Sequence, residues 1–200
     1  MPRKMLRQNL IRVWALPVII IGIATVLLLI GDEATLGLRY DRAGIASGEY
    51  ARLLMGHGVH LGKSHYLLNI AGLALVWFLV GNAFSASQWS AIIAANIVFM
   101  DLGFWFLMPG LDWYVGLSGL LHGILAAGIA GIWRSRRMEA MIIASIVVLK
   151  LGYEVFVGPI PGSGNMAGGD VVTEAHLFGA VGGIIAGTLF SIRVRPEASI

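Results

Sequence analysis

The chain contains no cysteine among its 200 residues. No disulfide, no cysteine-ligated metal and no thiol nucleophile is therefore possible. Charge is also scarce: Asp, Glu, Lys and Arg make up 12% of the residues, about half the share of an average soluble domain (~25%). Proline is rare, at 6 residues, so long segments run without a helix breaker. The net charge is only +3, and no nucleic-acid-binding pattern is present. What is abundant is apolar: 58% hydrophobic residues, with a mean hydropathy of +0.82. That is a membrane composition. Glycine is also plentiful, at 27, which suits close helix packing in lipid.

About 20 apolar residues cross a bilayer as a helix. On that rule the sequence predicts an all-α bundle of six spans, near 13–30, 65–84, 89–108, 117–133, 141–157 and 173–192, forming a single domain over residues 1–200. Arg3, Lys4, Arg7 and Arg12 before the first span resemble the start of a signal peptide. The apolar run is too long for one, however, and Gly31-Asp32-Glu33 is not a small-residue cleavage site, so an uncleaved first span is expected. A long polar stretch, Gly31 to Ser64, separates the first two spans and is expected to hold short interfacial helices, with Tyr40, Tyr50 and Met55 as anchors. A second loop, Gly158 to Val172, is rich in Gly and Pro. No internal repeat or low-complexity tract is present.

Lys and Arg near the span ends set the expected orientation. Arg3, Lys4, Arg7, Arg12, Arg134, Arg136, Arg137, Arg193 and Arg195 fall on one side, which is expected to be cytoplasmic with both termini. Arg39, Arg42, Arg52 and Lys63 fall on the other, among Asp32, Glu33, Asp41, Glu49, Asp112 and Asp170.

Ionisable and polar residues inside spans are costly and mark function. Here they share one depth. His65, Asn69, Ser118 and His176 lie near the starts of the second, fourth and sixth spans, and Lys150 and Glu154 near the end of the fifth. All fall within roughly 10 Å of the outer boundary. Ser118 is flanked by Gly116 and Gly119 at a helix start, where free N–H groups and the positive dipole end suit a developing oxyanion; alternatively, these small residues serve helix packing. His176 precedes Gly179, Gly183 and Gly187, a small face on which the sixth span can pack with its imidazole at the contact, in reach of a serine. Otherwise it is an interfacial histidine. His65 and Asn69, at i and i+4, share a face and can both donate to an oxyanion, or cap the second span. His122, four residues after Ser118 on the same face, is a rival base, or a supporting or packing residue. Lys150 and Glu154 pair at i, i+4, while Glu154 could instead orient His176 or contact substrate. Asp101, two turns inside the third span, is expected to face the bundle in a structural role. His57, His60 and His65 raise a metal reading, but they cross a loop–helix boundary and no H-E-x-x-H pattern occurs. No metal or other cofactor is expected.

Gly116-x-Ser118-Gly119, Ala175-His176-x-x-Gly179-x-x-x-Gly183 and His60-x4-His65-x3-Asn69 resemble the rhomboid intramembrane proteases, in the same order and spans, across Tyr50 to Phe190. The resemblance implies a Ser118–His176 dyad with no acid partner, and an oxyanion site from the Ser118 N–H, His65 and Asn69. Further stretches narrow it: Gly56-His57-x-x-His60-Leu61, Leu67-Leu68-Asn69-x-Ala71-Gly72-Leu73, Leu111-Asp112-Trp113-Tyr114-Val115 leading to Ser118, Lys150-x3-Glu154 and Gly158-Pro159. These look like rhombosortase, the bacterial rhomboid subfamily paired with GlyGly-CTERM proteins. This implies a multi-pass protein of the bacterial inner membrane that cuts exported substrates carrying a C-terminal Gly-Gly motif, hydrophobic helix and basic tail, near the outer membrane face. Tyr50-Ala51-Arg52 departs from the Trp-Arg that many rhomboids carry in the first loop. Other readings are a catalytically inactive binder of transmembrane segments, a transferase using the same acyl-enzyme, and a transporter. The last would want inverted repeats or broken spans in corresponding halves, which are absent.

Overall fold

The computed structural model describes the backbone of residues 3–193 and the side chains of residues 14–192. The side chains of Arg3, Lys4, Arg7, Arg12 and Arg193, and Arg195 entirely, lie outside the described residues, so the tally of basic residues rests structurally on the others.

The described residues are mostly helical, as the composition requires: in lipid only a helix or a closed barrel satisfies every backbone group. Six longer helices, α1 (Arg3–Ile30), α5 (Lys63–Val80), α6 (Ala86–Leu107), α7 (Ser118–Ile132), α8 (Arg137–Phe156) and α10 (Thr173–Arg193), fall where the apolar runs predict them. Between α1 and α5 the polar stretch forms α2 (Asp32–Leu38), α3 (Arg42–Ala46) and α4 (Ala51–Met55), with a two-residue strand β1 (Tyr40–Asp41). β1 pairs antiparallel with β2 (Trp113–Tyr114), Tyr40 opposite Tyr114. A last short helix, α9 (Ser163–Ala167), lies in the Gly/Pro-rich loop.

Among the described residues, α5, α6 and α10 are long and apolar enough to cross a membrane, and α1 with α2 makes a fourth if that pair, bent by 113°, counts as one span. α7 is apolar but has only 15 residues, roughly 22 Å at 1.5 Å per residue, short of a ~30 Å hydrocarbon core. α8 carries Arg137, Glu139, Lys150 and Glu154.

α7 is the centre of the bundle, and its composition explains why. It is built from Gly, Ala, Leu and Ile, nearly all buried, and neighbours press on it from several sides. A Cβ at Gly131 would meet the Phe84 ring at 2.8 Å, and one at Gly187 of α10 would meet Ala127 at 2.6 Å. Gly183 lies on Gly123, and Gly179 on Gly119, at backbone contact. The small face read at Gly179, Gly183 and Gly187 is thus the seam between α10 and α7. Small residues let two backbones approach this closely. The apolar core around α7 includes Leu73, Trp77, Val80, Trp89, Ile92 and Ile124.

Two devices pin the loops to this bundle. The Arg42 guanidinium donates to the carbonyls of Phe104 (2.5 Å), Trp105 (3.2 Å) and Met108 (2.8 Å) at the end of α6 and to that of Leu111 (3.1 Å). The Phe104 and Trp105 carbonyls are among those that a helix C-terminus leaves without an intrahelical partner. Asp41 caps α3 by accepting from the Gly44 N–H; that bond, with Arg39 beside it, holds its carboxyl below the usual range.

Candidate active site

Ser118 is the first residue of α7, where the N–H groups of the opening turn have no partner within the helix. What aims that turn is the segment before it. Gly116 sits at φ +116°, a conformation that favours glycine, and a Cβ there would lie 2.7 Å from the His65 ring. Its N–H donates to Gly56 O at 3.0 Å. Its carbonyl accepts from the Tyr114 hydroxyl at 2.8 Å. Tyr114 is buried, and burial pushes its phenol up to about 12, so it remains a donor. The β1–β2 ribbon holds Tyr114, and so the polar loop after α1 indirectly positions the serine.

His176, in the first turn of α10, is buried, and its Nε2 stands 3.0 Å from Ser118 Oγ. The close α7–α10 seam makes this possible, since it brings two residues 58 apart within hydrogen-bond reach. On the other side of the ring, Nδ1 is 2.9 Å from Glu154 Oε2, and Lys150 Nζ donates to the same carboxylate oxygen at 2.6 Å. The expected Lys150–Glu154 pair therefore exists, but its carboxylate also reaches the imidazole. The resemblance implied no acid partner for His176; here a buried carboxylate touches it, because α8 packs against α10 with Glu154 facing inward.

His122 meets Ser118 through the backbone rather than the hydroxyl: its Nδ1–H donates to the Ser118 carbonyl at 2.7 Å. Its ring stacks on His176 with centroids 4.3 Å apart and planes at 24°. It is the His176 Nε2, not the His122 ring, that faces the Ser118 hydroxyl.

His65 and Asn69 are both buried on one face of α5. The Leu61 N–H approaches His65 Nδ1 at 3.4 Å, which leaves Nε2 to carry the proton. Asn69 Nδ2 is buried and has no hydrogen-bond partner among the described residues. Both residues, with Ser118 and His176, line a cleft of about 370 Å³ whose other walls include Trp113, Val115 and Val172. α9 lies beside the cleft, and the Ser64 hydroxyl ties its end down by donating to Met166 O at 2.6 Å.

The three other histidine and acid positions resolve differently. His57 Nε2 bonds buried Asp101 at 3.2 Å, a partner for Asp101 inside the fold. His60 stands edge-on to His65 at 5.0 Å, and burial, with the neighbouring His65, holds its imidazole down at about 4. Among the described residues, the group whose ligand atoms gather within 4.8 Å is His122, Glu154 and His176, not His57, His60 and His65. Its donor atoms already serve one another, Lys150 and Ser118.

The rhomboid domain family matches residues 47–193. The chain belongs to the rhomboid family. That family consists generally of intramembrane serine proteases, and the match spans every residue of the cleft named above. No curated protein matches the chain. In this rhomboid, sequence reasoning missed two positioning residues. Arg42 was read only as loop charge, and Tyr114 only as part of a motif. Neither shows periodicity or motif spacing that would reveal a bond to a distant backbone carbonyl.

Proposed function

We propose that this rhomboid is an intramembrane serine endopeptidase in which Ser118 is the nucleophile and His176 the general base. The observation that carries this reading is the 3.0 Å contact between Ser118 Oγ and His176 Nε2, opening on a cleft where Asn69 Nδ2 is buried and unpartnered. A buried donor with nothing to bond costs about 1–3 kcal/mol, and a site keeps such a group when the missing acceptor forms during reaction. His176 takes the Ser118 proton as Oγ attacks the scissile carbonyl. The oxyanion is held by the Ser118 N–H, His65 Nε2–H and Asn69 Nδ2. His176 then protonates the leaving amine, and water clears the acyl-enzyme.

All six longer helices act as spans in this reading, with both termini cytoplasmic in a bacterial inner membrane. Arg134, Arg136 and Arg137 support that orientation, since they gather at the end of α7 opposite Ser118. A helix as short as α7 that ends at the cytoplasmic boundary starts several Å inside the outer one, which supports a serine lying within membrane depth. The substrate is a transmembrane segment, and the rhombosortase resemblance gives its class: a C-terminal anchor of Gly-Gly, hydrophobic helix and basic tail. Gly-Gly weakens a helix by about 1 kcal/mol per residue, which favours the extended backbone a serine must reach. Gly116 and the cleft's apolar walls, Val115 and Val172, suit such a backbone.

The test is co-expression with a reporter carrying a GlyGly-type anchor, comparing wild type with Ser118→Ala and His176→Ala. Loss of cleavage in both variants, with folded protein in the membrane, supports the dyad and the substrate class. Loss in Ser118→Ala alone points to His122 as base. A wild type that binds the reporter without cutting it makes the chain a non-catalytic binder, and a product carrying an added amine makes it a transferase.

A further inference from the structure

We infer that Glu154 is the positioning residue that selects the base-competent tautomer of His176 against the competing donor Lys150. This deepens the Ser118–His176 reading above and rests on it.

A neutral imidazole carries one proton, on Nδ1 or on Nε2, and the partner of one nitrogen decides the role of the other. To accept the Ser118 proton, His176 needs a bare Nε2 and therefore a proton on Nδ1. Two groups face Nδ1 and ask for opposite tautomers. Glu154 Oε2, at 2.9 Å, accepts and so calls for Nδ1–H. Lys150 Nζ, at 3.3 Å, only donates and so calls for a bare Nδ1. If Lys150 prevailed, the proton would sit on Nε2, which would donate to Ser118 Oγ and could not act as base.

The geometry settles the contest. Lys150 stands closer to the carboxylate, at 2.6 Å, than to the ring, so its shortest hydrogen bond is donated to Glu154. The same carboxylate oxygen then accepts a hydrogen bond from Nδ1–H through another lone pair. The other faces of the ring are already committed: His122 is stacked on it, and Ser118 is at Nε2. One carboxylate oxygen thus neutralises Lys150 and fixes the tautomer. When Nε2 takes the serine proton, the imidazolium that forms keeps Nδ1–H against the same anion. The proton moves from Oγ to Nε2 and no further; Glu154 stays ionised throughout.

This arrangement differs from a simple ion pair in a checkable way. If Glu154 only neutralised Lys150, removing both charges would restore activity fully, and removing Glu154 alone would act through folding. If it selects the tautomer, Glu154→Leu leaves Lys150 as the sole polar group at Nδ1 and traps the wrong form.

The experiment is covalent labelling of Ser118 by a fluorophosphonate probe in detergent micelles. It compares wild type, Lys150→Met, Glu154→Leu and the Lys150→Met/Glu154→Leu double variant. Nitrogen-15 NMR of labelled histidine reports the His176 tautomer, with His176→Ala identifying the resonance. Fixing the wrong tautomer costs up to about 10⁴-fold in a serine–histidine site, so Glu154→Leu is expected to slow labelling toward that factor. Lys150→Met is expected to slow it by less than about tenfold, since the carboxylate remains. The double variant is expected to recover at least about tenfold over Glu154→Leu while staying below wild type, because no group then favours either tautomer. Wild type should show the proton on Nδ1, and Glu154→Leu on Nε2. A Glu154→Leu variant that labels at the wild-type rate, or a wild-type ring protonated on Nε2, overturns the inference. The double variant also guards against misfolding, since it removes both charges at once: full wild-type activity there reduces Glu154 to a counter-ion. If wild type itself fails to react at Ser118, the nucleophile reading falls and takes this inference with it, an outcome distinct from a reactive wild type indifferent to Glu154.

Discussion

Gly179 lies three residues beyond His176, on the face of α10 that meets α7. A methyl built there would stand 2.7 Å from the Gly119 carbonyl carbon and closer still to its oxygen. Carbon atoms rest at about 3.5–4.0 Å, so Gly179→Ala forces α10 and α7 apart by about 1 Å. Neither side can yield locally, because both contacts are backbone. The displacement falls on the two helices that carry Ser118 and His176, at the level of those residues: Gly119 follows Ser118 directly. Adding about 1 Å to the 3.0 Å between Oγ and Nε2 takes it beyond hydrogen-bond reach. A misplacement of that size costs about 10²-fold in rate, equivalent to about 2.7 kcal/mol. Overpacking itself destabilises by about 1–3 kcal/mol. The expected result is a folded protein that melts a few degrees lower and labels with fluorophosphonate about a hundredfold more slowly. Gly22→Ala serves as the control, since a Cβ there meets nothing within 4 Å: it should leave labelling unchanged and melt no lower than wild type, Ala being the better helix former by about 0.5–1 kcal/mol. A Gly179→Ala variant with wild-type labelling and melting would refute the view that the α7–α10 seam sets the catalytic distance.

Three further outcomes are expected. Asn69→Ala should lower kcat by about 10²–10³ with KM nearly unchanged, the usual effect of losing one oxyanion donor; a loss expressed in KM would make Asn69 a ground-state binder. Arg42→Ala strips the cap from the end of α6 and should cost about 2 kcal/mol, read as a lower unfolding midpoint in detergent, whereas an unchanged midpoint would show the loop to be held by its apolar contacts alone. His60 titrates at about 4 in the fold against 6.5 for the exposed side chain. The unfolded chain therefore binds the proton first, and stability is whole above pH 6.5, declines as the pH falls through that value and stops declining below about 4. The shift corresponds to about 3 kcal/mol. Melting curves from pH 7.5 to 4 should show this loss in wild type and a flatter profile in His60→Phe, while parallel profiles would remove His60 from the account.

The helix positions were legible because a hydrophobic run has no alternative in lipid, and five of the six predicted segments coincide with longer helices to within four residues. α1 departs most, its helix beginning at Arg3, ten residues before the predicted start at 13, and α5 and α8 each differ by four residues at one end. α5 ends at Val80 where the run reads on to Phe84, because Gly81 and Asn82 allow the chain to turn and the Arg136 guanidinium binds Leu79 O and Asn82 Oδ1. α8 begins at Arg137, four residues before its apolar run, because a helix continues through charged residues that hydropathy does not count. The gathering of Ser118, His176, His65 and Asn69 was legible as well, since polar residues in spans are few enough that a shared depth stands out.

Composition and the length of the apolar runs thus pointed, without the fold, to a helical membrane protein with Ser118, His176, His65, Asn69 and Glu154 near one set of helix ends. Backbone groups must pair within each span, and charge is too costly in lipid to be placed idly. Which of those side chains touch was decided only by the tertiary structure. Glu154 could pair with Lys150 or reach His176 on sequence spacing alone, and it does both, because α8 presents it to α10. His122 shares a helix face with Ser118 yet bonds its carbonyl, because the hydroxyl is turned to another helix. Spacing along a helix specifies a face. It does not specify the neighbour across the gap, and in this protein the α7–α10 contact, set by glycines that allow backbone to meet backbone, brings the pair together.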